Sequence, residues 1–163
     1  MIRRFQPEDM NAALELLEKL RLDTPYRCLI PDWQRIVNTI IACQNHSTGL
    51  VLVAINDGKL TGIMINICRP LWWVEQKLGP QIASDLIFYS QRYGDGRRML
   101  RRMVEWAFTV PRVVRIEMAV SSGQGDIPTM RRLYESCGFA LEGTLFVRNH
   151  PKYNEALIGV QAA

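Results

Sequence analysis

The spacing of apolar residues changes several times along this chain, and each spacing predicts a different element. Apolar residues recur at helical intervals from Glu8 to Leu20, where Pro7 occupies a favoured first-turn position and Thr24-Pro25 breaks the pattern. Ile2 to Phe5 precedes this helix as a short strand. A second helix is predicted from the cap residue Asp32 onward, with a buried stripe formed by Trp33, Ile36, Val37, Ile40 and Ile41.

The rest of the chain alternates between strand-like and helical patterns. Leu50 to Ile55 and Leu60 to Cys68 flank the turn Asn56-Asp57-Gly58-Lys59, which is typical of a hairpin. A loop from Arg69 to Ile82 follows. The later elements are predicted as a strand Ala83–Ser90, a helix from about Arg97 to Phe108, a strand Val113–Val120, a helix Pro128–Glu135 ended by Cys137-Gly138, and two strands, about Phe139–Val147 and Asn154–Gln161.

The resulting order, β-α-α-β-β-β-α-β-α-β-β, predicts a single mixed α/β domain over residues 1–163. We expect a mostly antiparallel sheet flanked by helices. No apolar run approaches the roughly 18 residues that a membrane span requires, and the first residues lack the pattern of a secretion signal. The sequence therefore predicts a cytoplasmic protein that does not enter membranes.

Charge and cysteine content narrow the function classes. The net charge of +4 is compatible with an anionic ligand but is too small to argue for nucleic acid. The four cysteines are scattered without a Cys-x-x-Cys pair, and the chain has only two histidines, so no metal site is expected. Cys28, Cys43 and Cys68 have apolar neighbours, which predicts reduced thiols in the core.

The segment with the strongest chemical signal is a turn, Gln91-x-x-Gly94-x-Gly96, between a predicted strand and a predicted helix. A helix N-terminus has unpaired backbone N–H groups and partial positive charge, and glycines let phosphate oxygens come close to the backbone. The pattern alone is weak evidence, but its position favours a phosphate site. The helix is apolar on one face, at Met99, Leu100, Met103, Val104 and Ala107.

The opposite face of this helix carries Arg97, Arg98, Arg101 and Arg102. Arg101 and Arg102 are best explained as a solvated face. Arg97 and Arg98 lie in the first turn, where positive side chains oppose the helix dipole. A bound polyphosphate would offset that cost, which favours a functional role for these two arginines.

Two motifs in this order resemble those of the GNAT (Gcn5-related N-acetyltransferase) superfamily. The turn Gln91-x-x-Gly94-x-Gly96 resembles its pyrophosphate loop, and Leu133-Tyr134-Glu135-Ser136-Cys137-Gly138-Phe139 resembles its Leu-Tyr-x-x-x-Gly-Phe signature. The resemblance extends over nearly the whole chain. A looser similarity to GNAT proteins of tailed phages rests on residues 83–89, 105–107 and 143–146.

The resemblance implies direct transfer of acetyl from acetyl-CoA, a co-substrate, to a primary amine in a ternary complex. The acceptor would be a small molecule, a protein lysine or an N-terminus. The pantetheine arm would add to strand Ala83–Ser90 where it parts from Val113–Val120, and Tyr134 would protonate the departing thiolate. The predicted cofactor-binding residues are Phe88, Ser90, Gln91, Arg92, Tyr93, Gly94, Asp95, Gly96, Arg97 and Arg98.

The chain departs from the family pattern at two points near this loop. Phe88-Tyr89-Ser90 lacks the proline that usually leads into it. Asp95 occupies a position that is usually apolar or basic, so we expect a carboxylate near the proposed phosphates.

Amine attack needs a group that removes a proton from the ammonium, and two carboxylates lie on the strands expected to separate. Asp85 stands in an apolar strand and is our candidate base, although a salt bridge or a strand-end hydrogen bond would also explain it. Glu117 is better explained as a solvated neighbour of Arg115. Tyr134, the candidate acid, could also be a half-buried core aromatic.

The acceptor side is the least informative part of the sequence. Thr24 to Arg27, Trp72-Trp73 and Arg148 to His150 are loop segments near the expected entry of the acceptor. The tryptophans would equally well cover a sheet edge, and His150 is more typical of a surface residue. The sequence leaves a homodimer open.

Three functions remain in competition. The first is an active acetyltransferase, and the second is a catalytically inactive CoA-binding protein that acts through protein–protein contacts. The third is a nucleic-acid-binding protein that would use Arg92, Arg97, Arg98, Arg101 and Arg102.

Overall fold

A computed structural model describes residues 1–71, 79–92, 94–119 and 127–142, which form five strands and four α-helices. Two short 3₁₀ helices, Pro7–Asp9 and Pro25–Cys28, precede and follow the first α-helix. In chain order the elements are β1 (Ile2–Arg4), α1 (Met10–Leu22), α2 (Trp33–Asn45), β2 (Gly49–Asn56), β3 (Lys59–Pro70), β4 (Gln81–Ser90), α3 (Asp95–Ala107), β5 (Val113–Glu117) and α4 (Ile127–Glu135).

The strands form one open mixed sheet in the order β1-β2-β3-β4-β5. All neighbouring pairs are antiparallel except β4 and β5, which run parallel. Their pairing covers only Gln81 to Ser84 of β4. Beyond Ser84 the edge of β4 that faces β5 has no ladder partner within the described ranges, so the sheet opens between these two strands.

Helices cover both faces of the sheet, which explains why β2 is apolar at nearly every position. Leu50, Leu52 and Ala54 pack with α3 on one face, and Val51 and Val53 pack with α1 and α2 on the other. The predicted apolar stripe of α3 is confirmed, since four of its residues are completely buried and Val104 packs beside them: Met99, Leu100, Met103 and Ala107.

The first helix ends just before the predicted break at Thr24-Pro25, and the second begins at the predicted cap Asp32. The Thr24 hydroxyl donates to the carbonyl of Arg21 (2.8 Å), which closes α1. The Asp32 side chain accepts from the backbone N–H of Arg35 (2.9 Å) and caps α2. Both boundaries therefore follow from local side-chain chemistry.

Three predicted element starts differ from the structure by two residues. Helix α1 begins at Met10 rather than Glu8, because Pro7–Asp9 forms a separate 3₁₀ helix. Helix α3 begins at Asp95 rather than Arg97, because Gly94 takes the N-cap position in a left-handed conformation (φ 86°) and accepts from the N–H of Arg98 (3.3 Å). Strand β4 begins at Gln81 rather than Ala83, since its first residue already pairs with Pro70 and donates to the carbonyl of Arg112 (2.8 Å).

Two predictions of burial were wrong. Ile41 is 45% exposed because it follows Ile40 by one position, about 100° around the helix, and therefore leaves the buried face, which uses Cys43 instead. Cys28 is exposed, since it lies in the 3₁₀ helix that connects α1 and α2 on the surface. Cys43 and Cys68 are free buried thiols, as predicted, and burial raises the pKa of both.

The motif Leu-Tyr-x-x-x-Gly-Phe forms the C-terminal cap of α4. The N–H of Phe139 donates to the carbonyl of Tyr134 (3.2 Å), and the N–H of Gly138 donates to that of Glu135 (3.0 Å). The rings of Tyr134 and Phe139 are 5.8 Å apart between centroids. This is a Schellman cap with its usual hydrophobic contact, so the spacing of the motif is a requirement of helix termination.

This cap corrects the start of the next predicted element. Residues 139–142 are not in a strand, because the N–H of Phe139 is used to close the helix. The rest of that predicted strand and all of the last one, Asn154–Gln161, lie outside the described residues.

We expect Gly138→Ala to lower the free energy of unfolding by about 1 kcal/mol, because Gly138 has φ 87° and a Cβ is disfavoured there. No atom lies within 4 Å of the added Cβ, so backbone strain is the whole cost. Urea unfolding measures this value. Gly138→Asn is the matched variant and should lose less, since asparagine tolerates this conformation. Equal stability of the alanine variant and the wild type would contradict the cap.

Candidate functional site

A cleft of about 1600 Å³ lies beside β4 where that strand leaves β5. Ordinary small-molecule pockets have volumes of roughly 300–1,000 Å³, so this cleft has room for two ligands side by side. Its lining includes most of the residues that the sequence singled out: Asp85, Phe88, Ser90, Gln91, Arg92, Gly94, Gly96, Arg97 and Tyr134. Tyr93 lies outside the described residues.

A β-bulge shapes the wall that β4 contributes. Asn66 of β3 pairs with Asp85, and the preceding Ile65 pairs with Ile87, so Leu86 is an extra residue on β4. Leu86 lines the cleft and is 50% exposed. Because a bulge shifts the alternation of side chains, it changes the direction of every residue that follows it on the strand.

The turn after β4 presents backbone donors at the start of α3. Gly94 is the N-cap, and the N–H groups of Gly96 and Arg97 make no hydrogen bond with any residue that the structure describes. These two groups stand at the positively polarised end of a 13-residue helix. Backbone donors of this kind bind phosphate groups in other proteins, and a phosphate site at this turn stays a prediction.

Asp95 is placed differently from what the sequence led us to expect. Its side chain is fully buried and does not line the cleft. Its carboxylate accepts from Asn56 Nδ2 (2.6 Å), from the Thr61 hydroxyl (3.3 Å) and from Arg98. Burial alone would raise the pKa of this carboxyl, but the hydrogen bonds from Asn56 and Arg98 hold it below its usual value. The charge is therefore directed into the β2–β3 hairpin and away from the proposed phosphates.

Asp85 on β4 and Tyr134 on α4 face the same cleft. Burial raises the pKa of Asp85 to about 6, although the backbone N–H groups of Asp85 and Ala119 partly oppose the change. Burial and the negative charge of Asp85 raise the pKa of Tyr134 above its usual value. Near neutral pH this arrangement holds a carboxylate that accepts protons more readily than usual, close to a phenol that keeps its proton.

The surroundings of Asp85, Glu117 and Tyr134 bear differently on the alternative roles of each residue. Within the described ranges Asp85 has no ion-pair partner, and its hydrogen bond from Ala119 gives it only a partial structural role. Glu117 does pair with Arg115 (3.2 Å), as the structural explanation requires, and it does not line the cleft. Tyr134 is half-buried against Phe139, so a packing role and a chemical role coexist there.

The arginines near the turn differ in whether their side chains already bond to other parts of the protein. Arg92 donates to Asn56 Oδ1 (2.8 Å), Arg98 pairs with Asp95, and Arg102 donates to the carbonyl of Ile2 (2.6 Å). Arg97 is exposed, lines the cleft and has no ion pair among the residues described. Arg97 is thus the first-turn arginine whose charge is not neutralised by any residue in the described ranges.

The side of the cleft formed by α1 and α2 is mostly apolar, apart from Arg21, Asp23 and Thr24, and sequence reasoning missed most of it. Tyr26 lines it, as expected from its loop position, whereas Trp72, Trp73 and residues 148–150 lie outside the described ranges. In the sequence the additional residues have the spacing of ordinary core positions or lie in the connection between two helices, so nothing marks them as lining a site: Leu17, Leu20, Leu29, Ile30, Pro31, Trp33 and Ile36.

Asn66 is a further polar residue beside the site that the sequence analysis missed. It is completely buried, its Nδ2 donates to the carbonyl of Leu50 (3.3 Å), and its Oδ1 has no hydrogen-bond partner in the described structure. Its polar side chain in the middle of the apolar strand β3 was a signal in the sequence.

The described residues hold neither a candidate metal site nor a helix that could span a membrane. No cluster of three or more His, Cys, Asp or Glu side chains there has the arrangement of a metal site. None of the helices found there combines the length and the apolar character needed to cross a membrane.

No protein-family model matches the sequence, and no curated protein matches it. Solved structures do. A putative acetyltransferase from Agrobacterium tumefaciens aligns with a TM-score of 0.65 at 21% identity, over 92% of this chain and 99% of that one. An aminoglycoside acetyltransferase from an uncultured soil metagenomic sample, in complex with sisomicin, gives 0.63 at 15% identity, over 92% and 94%.

A GNAT family acetyltransferase from Staphylococcus aureus aligns with a TM-score of 0.59 at 16% identity, over 92% of this chain and 98% of that one. At these identities the similarity shows the fold. An open mixed sheet flanked by helices, with the element order predicted from the sequence as far as α4, is the fold of these acetyltransferases.

Proposed function

We propose that this chain, which has the fold of GNAT acetyltransferases, transfers acetyl from acetyl-CoA to a primary amine of a small molecule or a protein. The observation that carries the proposal is the meeting of Asp85 and Tyr134 in one cleft, beside the open edge of β4. A proton acceptor and a proton donor in the same cleft are the two groups that aminolysis of a thioester requires.

The residues of the cleft fit CoA. Beyond Ser84 the β5-facing edge of β4 has no ladder partner among the described residues, and such an edge can hold an extended amide-containing arm as an added strand. The strand leads directly into the turn at Gly94, where the N–H groups of Gly96 and Arg97, which bond to none of the residues that the structure describes, suit a pyrophosphate. Arg97 adds a positive charge without an ion pair among the described residues, and the volume leaves space for an acceptor.

Acetyl-CoA supplies the acetyl group as a thioester, whose carbonyl carbon is open to attack by a neutral amine. Asp85 accepts the proton that the ammonium of the acceptor must lose, since its pKa of about 6 leaves it mostly ionised near neutral pH. The amide C–N bond forms while the C–S bond breaks, and the attacking nitrogen then gives up its second proton, which restores the phenol of Tyr134 after that residue has protonated the sulfur. Tyr134 donates its proton to the departing sulfur, because its raised pKa keeps the phenol protonated in this range.

Native mass spectrometry of the purified protein tests the cofactor, and we expect a co-purified or titrated adduct with the mass of CoA or acetyl-CoA. Acetyl-CoA that never binds would overturn the proposal. If it binds, a panel of amines with release of free thiol as the readout tests the reaction. Binding without transfer to any amine would favour the catalytically inactive CoA-binding protein instead, and steeply salt-dependent binding of DNA or RNA would favour the third function.

A further inference from the structure

A polar cluster joins the β2–β3 hairpin to the turn that begins α3. We call Asn56, Thr61 and Asp95 the hairpin clamp. The two hydrogens of Asn56 Nδ2 are directed to Asp95 Oδ2 (2.6 Å) and to Thr61 Oγ1 (2.6 Å). The hydroxyl of Thr61 lies 3.3 Å from the same Asp95 oxygen. One amide thus connects the last residue of β2 with the first residue of α3.

The clamp also holds the turn at its other end. Asn56 Oδ1 accepts from Arg92 Nη1 (2.8 Å), and the carbonyl of Thr61 accepts from the N–H of Gln91 (2.9 Å). The turn is therefore fixed to the hairpin on both sides of Gly94. None of the three clamp side chains lines the cleft, so the clamp does not belong to the surface that a ligand would contact.

Charge and burial indicate that the clamp is not an incidental surface contact. Asp95 is fully buried and receives three donors, from Asn56, Thr61 and Arg98. A buried carboxylate persists only when its hydrogen bonds are made, so its position is closely determined by these donors. Because Asp95 is the first residue of α3, fixing its side chain also fixes the N–H groups of the residues that follow.

We propose that Asn56 is a positioning residue, which acts through Asp95 and Arg92 to hold the turn in the geometry that binds the pyrophosphate of CoA. This inference rests on the proposed function and adds a determinant outside the cleft. The clamp fixes the backbone donors before the ligand arrives, so binding need not order the turn. Asn56 thereby affects the affinity for phosphate-bearing ligands without touching them.

The test is an exchange of the side chains of Asn56 and Asp95 between the two positions. Asn56→Asp places two carboxylates in contact, so we expect CoA affinity, measured by calorimetry, to fall about tenfold. Adding Asp95→Asn restores an amide donor opposite a carboxylate, and the double variant should regain most of the loss. Hydrogen exchange of the hydrogen-bonded amides of Gln91, Asp95 and Arg98 should accelerate in Asn56→Asp and slow again in the double variant. Asp57→Asn, in the β2–β3 hairpin turn next to Asn56, is the matched control and should bind CoA as the wild type does.

Competition with pantetheine, which has no phosphates, separates positioning from general damage. Its affinity should be unchanged in Asn56→Asp. An equal loss for pantetheine and CoA, or no loss for CoA, would overturn the role of Asn56. Unaltered hydrogen exchange in Asn56→Asp would do the same without any ligand. If wild-type protein binds no CoA while the exchange results are as expected, the clamp stands and the proposed function fails.

Discussion

Replacing Tyr134 with Phe is expected to lower kcat by about 100-fold, because general acid catalysis typically contributes 10²–10⁴ to a rate. The substitution removes only the hydroxyl and keeps the ring that packs on Phe139. The departing thiolate then has to take its proton from water. CoA affinity, measured by calorimetry, should stay within about twofold, since the loss is confined to the transition state.

The matched control is Tyr89→Phe, which removes another phenolic hydroxyl from the lining of the same cleft. Tyr89 packs with the core on the α1–α2 face, so this variant should keep a kcat close to that of the wild type. A Tyr134→Phe enzyme with unchanged kcat would remove Tyr134 as the acid and leave it the packing role that the Schellman cap already gives it.

Most of the fold could be predicted from patterns among residues that are close together in the sequence. The caps at Asp32 and Thr24, the hairpin turn and the termination of α4 at Gly138 depend on residues within a few positions of each other, and the sequence displays such patterns directly. The errors arose where a neighbouring element decides. Ile41 and Cys28 are apolar residues whose burial depends on where the rest of the molecule lies.

The candidate site likewise has features that the sequence reveals and features that depend on tertiary packing. The glycine turn and Tyr134 belong to short motifs that sequence reasoning can find. The bulge at Leu86 depends on the pairing of β4 with β3, and the mostly apolar side of the cleft depends on how α1 and α2 pack over the sheet. Neither leaves a local signal in the sequence. For Asp95 the sequence showed one half of the contact. Its unusual residue type could be recognised, but its partner Asn56, 39 positions away, could not.

The raised pKa of Asp85 has a consequence for stability as well as for catalysis. Its value in the folded protein, about 6, lies above the ordinary 3.8, so the folded state is penalised once the carboxyl is ionised. The penalty is absent below about pH 3.8, grows between that pH and about 6, and reaches up to about 3 kcal/mol above it. Asp85→Asn should therefore raise the melting temperature at about pH 8 and leave it nearly unchanged at about pH 4.

This gain in stability makes the catalytic prediction for Asp85→Asn unambiguous, because lost activity cannot then be ascribed to unfolding. If Asp85 is the base, wild-type kcat/KM rises with pH through about 6 and levels off, while the ammonium of a lysine-like acceptor titrates separately near 10. In Asp85→Asn we expect the rise near pH 6 to disappear and the plateau to fall about 100-fold.

Glu117→Gln is the control for this profile. Glu117 is the carboxylate on the adjoining strand, it pairs with Arg115, and it does not line the cleft. Its variant should keep both the inflection and the plateau. An inflection near pH 6 that persists in Asp85→Asn would show that another group removes the proton. Asp85 would then be only a half-buried carboxylate that accepts the N–H of Ala119 beside the bulge.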